Sequence, residues 1–203
     1  MNNMDLFEQP GEQQLIVQDG ELCSYPQWLD AHQANAMFGE LQSTLNWQQE
    51  VLTMYGREVT VPRLVAWYGD KDATYTYSGK MHQPLPWAQP LLQLRELLQT
   101  SLQQSFNSVL CNLYRHGKDS MGWHSDDEPE LGDAPVIASL SLGQSRFFDV
   151  RNKRTGEKHR IPLHSGQLIV MKGSFQQHWQ HQVPKQLKID QPRINLTFRH
   201  IIA

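Results

Sequence analysis

The sequence predicts an α+β fold, with helices in the first half buttressing a jelly-roll barrel in the second. Two observations carry this. Apolar residues recur at helical spacing in two stretches of the first half, and after Asn107 short β-like runs follow one another, cut by turn residues. The first helix is expected over 26–45, where Trp28, Leu29, Met37, Phe38, Leu41 and Leu45 recur at mostly one-, three- and four-residue steps. Ser24 is its expected cap, with Pro26 near the first turn. The second begins near Pro86 and aligns Trp87, Leu91, Leu92, Leu94, Leu97, Leu98 and Leu102 on one broad apolar face. Between them, residues 50–79 mix β-branched and aromatic residues with Gly56, Gly69 and Gly79 and read as short strands and turns. The runs 109–114, 136–142, 147–150, 159–163, 167–171 and 193–202 supply the barrel.

Length and composition bound the rest. A chain of 203 residues suits one well-cored domain, and an apolar share of 39% with six Trp, seven Phe and six Tyr excludes wholesale disorder. The net charge of -3 gives no global attraction to polyanions, so contact with nucleic acid must come from a local basic patch. Cys23 and Cys111 stand far apart, without zinc-ligand spacing, which fits a reducing compartment. Residues 1–20 lack a basic start and an apolar run, and no segment approaches the ~18 consecutive apolar residues of a membrane span. A cytoplasmic protein is expected.

His124 and Asp126 are one residue apart, so an extended segment over 121–126 aims an imidazole and a carboxylate at one spot. That is half of the two-histidine, one-carboxylate triad that holds non-haem iron(II) while leaving positions open for oxygen chemistry. The missing histidine must come from a distant segment. His178-Trp179-Gln180-His181 offers two, and spacing does not choose between them.

Residues 193–199 form the strongest constellation. Strand periodicity places Arg193, Asn195, Thr197 and Arg199 on one face and Ile194, Leu196 and Phe198 on the other. Two arginines inside a barrel cost several kcal/mol, roughly, unless anions meet them, and a dicarboxylate answers that need through two-point hydrogen bonds. Asn112 and Tyr114 alternate with Cys111 and Leu113 in the same way and add an amide and a phenol.

These residues belong to longer matching stretches: Tyr55-Gly56-Arg57, Val61-Pro62-Arg63, Tyr75-Thr76-Tyr77-Ser78-Gly79, Asn112-Leu113-Tyr114, His124-Ser125-Asp126-Asp127-Glu128, His178-Trp179-Gln180-His181 and 192–199. Through them the chain resembles the AlkB family of iron(II) and 2-oxoglutarate-dependent dioxygenases, from roughly Tyr55 to Ile201. The resemblance implies a double-stranded β-helix core over 107–203, a nucleotide-recognition region with the second helix over 51–106, and an extension with the first helix over 1–50. It selects His181 as the third iron ligand, with His178 a neighbour, and places Asn112, Tyr114, Arg193, Asn195 and Arg199 around 2-oxoglutarate. Arg199 is expected to pair with the distal carboxylate.

The implied reaction uses iron(II), 2-oxoglutarate and O2 to demethylate 1-methyladenine or 3-methylcytosine in DNA. It yields succinate, carbon dioxide and formaldehyde, and RNA is an alternative substrate. Tyr75, Tyr77 and Asp127 are expected around the cationic base, Tyr55 as a wedge in the base stack, and Gly56, Arg57 and Arg63 near the nucleic acid. Arg151, Lys153, Arg154, Lys158 and Arg160 around Thr155-Gly156 form a basic hairpin suited to phosphates. A monomer without membrane contact is expected. Two rivals remain at this stage: a cupin-like isomerase or zinc hydrolase using the same three ligands, against which the arginine row argues, and a non-catalytic nucleic-acid-binding module.

Overall fold

Alternating apolar and polar residues drive most of this chain into strands. The structure, a computed structural model, describes residues 11–54, 57–77 and 80–202, and at 52–54, 57, 75–77 and 80–82 it describes the backbone. The elements run β1 (Gln13–Ile16), β2 (Glu21–Tyr25), α1 (Ala31–Thr44), β3 (Gln48–Met54), β4 (Arg57–Gly69), β5 (Tyr75–Tyr77) and β6 (Lys80–His82). They continue with α2 (Gln89–Leu102), β7 (Ser108–Tyr114), β8 (Met121–His124), β9 (Ile137–Gly143), β10 (Arg146–Asn152) and β11 (Lys158–Leu163). The last are β12 (Leu168–Lys172), α3 (Phe175–His178), β13 (Trp179–Val183) and β14 (Arg193–Arg199).

The strands make an eight-stranded sheet in the order β1-β2-β12-β9-β14-β7-β4-β3, a four-stranded sheet β11-β10-β13-β8, and the ribbon β5-β6. The two larger sheets are the walls of the jelly roll. β14 lies between β9 and β7, and its register pairs Arg193 with Tyr114 and Asn195 with Asn112. Its even-numbered residues Ile194, Leu196 and Phe198 join Cys111, Leu113, Leu140 and Leu142 in one apolar layer with Leu41 of α1 and Leu91, Leu94 and Leu98 of α2. Each of these helix leucines is fully buried, a contribution of roughly 2 kcal/mol apiece. The opposite face of the sheet meets the smaller sheet, where Ile137, Ile169, Met171, Phe148, Val150 and Trp179 form a second apolar cluster around the polar site.

Two boundaries differ from the sequence expectation. α1 starts at Ala31, because Asp30 closes a capping box: its carboxylate accepts from Gln33 N at 2.8 Å and Gln33 Oε1 accepts from Asp30 N at 3.0 Å. Ser24 is no cap. It lies in β2, buried, where its hydroxyl accepts from Gln167 Nε2 at 2.9 Å. α2 starts at Gln89 rather than near Pro86, with Pro90 in its first turn.

Three strand findings also depart from the sequence reading. β1 and β2 lengthen the larger sheet from residues expected to form an extension, β4 is a 13-residue strand where short pieces were expected, and β14 stops at Arg199 rather than 202. Among the described residues, no helix is long and apolar enough to cross a membrane.

Candidate active site

The two histidines are brought together by register. His181 of β13 lies directly opposite His124 of β8 across an antiparallel ladder, with the next pairing shifted by an irregularity before Val183. Their rings stand 4.2 Å apart between centroids. His178 belongs to α3, outside that ladder, which is why position 181 rather than 178 reaches the site.

Asp126 follows two residues after the end of β8, and its carboxylate approaches His124 Nε2 at 3.6 Å. One donor atom from each of His124, Asp126 and His181 lies within 4.8 Å of the others. No other such group of three His, Cys, Asp or Glu side chains occurs among the described residues.

Electrostatics prepare these groups as metal ligands. His124 Nδ1 faces Gly122 O at 2.9 Å; a carbonyl only accepts, so Nδ1 carries a proton and Nε2 is the ring nitrogen that faces the acid. Burial, reinforced by His124, pushes the His181 imidazolium down to about 3, so its ring is neutral. Burial alone would raise the Asp126 carboxyl, but the Arg199 guanidinium beside it holds it at about 2. Arg199 Nη2 lies 2.9 Å from Asp126 Oδ1.

Asp126 Oδ2 and His181 Nδ1 are buried and hydrogen-bond to no described residue. A buried carboxylate oxygen left in that state costs several kcal/mol, roughly, until a cation meets it. Two imidazoles and one carboxylate suit a non-haem iron(II) ion, so the residues fit that metal.

The same cavity continues along β14. Arg193, Asn195, Thr197 and Arg199 all line it, with Asn112 and Tyr114 from β7. At the end away from Asp126, Arg193 is 1% exposed and lies over the Tyr114 ring, 5.2 Å from its centroid. Its Nη2 donates to Ser141 Oγ at 2.9 Å, while Nε and Nη1 have no partner among the described residues. Asn195 Nδ2 donates to Ser139 Oγ at 2.8 Å.

Ser139 and Ser141 escaped the sequence reading. Their period-two spacing within an apolar run was the available signal. Arg63 lines the cavity too, 8% exposed, and its Nε donates to Asn112 Oδ1 at 2.5 Å, so it sits behind an amide of the cavity. Arg199, expected to pair with a distal carboxylate, lies beside Asp126, and Arg193 is the buried cation further along the strand.

The expected nucleic-acid residues are less gathered. Tyr55 and Gly56 lie outside the described residues, and of Arg57, Tyr75 and Tyr77 the backbone is described, in β4 and β5. Asp127 is 57% exposed and pairs with Lys153 at 3.4 Å, outside the cavity lining. In the basic hairpin, Arg160 meets Asp149 through two bonds of 2.7 and 2.9 Å, and Arg154 lies 3.5 Å from Asp19. Those partners reduce the positive charge the hairpin offers a phosphate.

Comparison with known proteins adds sequence and fold. Residues 21–199 match the family described as the 2OG-Fe(II) oxygenase superfamily. The chain is 43% identical over 190 residues to "Alpha-ketoglutarate-dependent dioxygenase alkB homolog 3" of Bos taurus, covering 89% of this chain and 66% of the relative. It is 37% identical over 198 residues to "DNA oxidative demethylase ALKBH2" of Homo sapiens, covering 92% of this chain and 76% of the relative. Thus it spans about two thirds to three quarters of the length of these relatives. The solved structure titled "The structure of OsALKBH1" shares the fold, with a TM-score of 0.67 at 16% identity over 93% of this chain and 100% of that one.

Proposed function

From the premise that this chain belongs to the 2OG-Fe(II) oxygenase superfamily and, within it, to the AlkB family, we propose that it is an iron(II) and 2-oxoglutarate-dependent dioxygenase that demethylates 1-methyladenine and 3-methylcytosine in DNA. One observation carries the reading. A metal-capable triad and a buried guanidinium with two donors lacking described partners occupy opposite ends of one cavity. DNA as the substrate is supported by the printed name of the ALKBH2 relative.

His124, Asp126 and His181 would hold the iron. Bound there with 2-oxoglutarate and O2, iron(II) supplies an oxidation that hydroxylates the N-methyl group, after which formaldehyde leaves; succinate and carbon dioxide are the other products. The protein's own part is positioning. Arg193 takes the distal carboxylate of 2-oxoglutarate in a charge-assisted pair, steadied by Ser141 and the Tyr114 ring. Asn112 and Asn195 offer amides along the cavity wall. Arg199 keeps Asp126 ionised and oriented. Packing of Phe148 against the His181 ring, 5.2 Å between centroids, excludes water from that side.

Tyr75, Tyr77 and Asp127 are assigned to the cationic base, and Tyr55, Gly56, Arg57 and Arg63 to the nucleic acid, by family resemblance. The buried, unbridged Cys23 and Cys111 support a reducing compartment, the cytoplasm.

The test is succinate and formaldehyde production from oligodeoxynucleotides carrying 1-methyladenine or 3-methylcytosine, with matched RNA oligonucleotides alongside. Turnover is expected to require both iron(II) and 2-oxoglutarate, and His124→Ala to abolish it while circular dichroism stays native. Turnover indifferent to 2-oxoglutarate would overturn the reading.

A further inference from the structure

Strand register fixes two of the three clustered side chains, but Asp126 lies beyond the end of β8 and no ladder sets it. Its position comes from contacts to α3 and the start of β13. Ser125 Oγ donates to Trp179 O at 2.9 Å, and the Asp126 N–H donates to Gln176 Oε1, also at 2.9 Å. Gln176 is 2% exposed, and its Nε2 lies 3.4 Å from Met171 Sδ. A backbone N–H only donates, so the amide oxygen must face Asp126 and the amide nitrogen the sulfur.

The backbone carbonyl of Gln176 accepts from Lys153 Nζ at 2.9 Å, and the same ammonium reaches Asp127 Oδ2 at 3.4 Å. The acid is therefore held at its main chain by Gln176 and at Oδ1 by Arg199. Oδ2 is the carboxylate oxygen with no described partner.

We infer that Gln176 is a positioning residue that fixes the backbone of Asp126, aims its carboxylate at the two imidazoles and so sets how tightly the site takes a divalent cation. The inference rests on the reading of His124, Asp126 and His181 as metal ligands. Groups that orient metal ligands characteristically contribute about 10- to 100-fold in affinity. Gln176 suits that role because its burial leaves no water to replace it at the Asp126 N–H.

The experiment titrates the full chain with cobalt(II), reading the dissociation constant by calorimetry and the ligand geometry from the visible absorption of the bound ion. Thermal unfolding of the metal-free protein is measured in parallel. Gln176→Leu is expected to weaken cobalt(II) about 10- to 100-fold and to alter the visible spectrum. Gln176→Glu, which keeps the acceptor oxygen, is expected to restore both.

Native affinity and spectrum in Gln176→Leu, with or without lowered thermal stability, would reduce Gln176 to packing and overturn the inference. Should the leucine variant not fold, Gln176→Asn withdraws the oxygen by one methylene. It is expected to weaken cobalt(II) as well, and native binding there overturns the inference equally. His124→Ala separates the underlying reading: native cobalt(II) binding in that variant would remove the metal site itself and the inference with it.

Discussion

Two buried guanidiniums lie over the Tyr114 ring, Arg146 at 5.6 Å and Arg193 at 5.2 Å, and the regions around them are built to different ends. Around Arg146 every direction is occupied. It donates to Gln186 Oε1, to the carbonyls of His116 and Asp119, and to that of Pro184, at 2.8 to 3.3 Å, and so ties the loop before β8 to the segment after β13. Gly117 completes that junction, since a Cβ there would overlap Gln186 O.

Around Arg193 the Ser141 hydroxyl and the Tyr114 side chain are engaged, and Nε and Nη1 have no described partner. Burial lowers the pKa of both groups, bringing Arg193 to about 10. The difference teaches that burial of a charge does not by itself mark a site. The donors left over do.

Substitution can break this contrast. Arg146→Met strands the backbone carbonyls of Asp119 and Pro184 and should lower the stability of the metal-free protein by about 3 kcal/mol, measured by urea unfolding. In the folded protein 2-oxoglutarate should still bind.

Arg193→Met removes a cation whose bonds are mostly unmade, so the metal-free protein should unfold at or above the wild-type temperature. Its affinity for 2-oxoglutarate should fall about 10- to 100-fold, the loss of a charge-assisted bond of about 1.5–3 kcal/mol, measured by calorimetry. A stability loss matching that of Arg146→Met would erase the distinction.

The smallest effect concerns pH. Burial raises the Asp119 carboxyl, but bonds from Arg115 outweigh that and leave it below the usual range. The stability it contributes is present above the ordinary carboxyl pKa near 4 and is lost as pH falls through the lowered value. Asp119→Asn should therefore cost about 1 kcal/mol at neutral pH, screened because Arg115 is partly exposed, and flatten the acid limb of the stability curve.

What the sequence revealed follows the same division. Where strand period two governs, as in β14 and β7, the cavity face and the apolar face were legible residue by residue. His124 and Asp126 were legible as a local pair. The choice of His181 over His178 needed the ladder between β13 and β8, a long-range pairing that no local pattern encodes. Gln176 looked like one of many scattered glutamines, because its significance lies in what it touches 50 residues away. The capping box at Asp30 was readable but lost to Ser24, whose role in β2 depends on Gln167, distant in sequence.

β14 is hydrogen-bonded along both edges, by β9 and by β7. Its pleat advances about 6.7 Å for each pair of residues, so the stations of Arg193, Asn195, Thr197 and Arg199 are marks on a rigid ruler. The spacing of these side chains is thus set by main-chain pitch. Changing that spacing would mean re-registering two ladders at once.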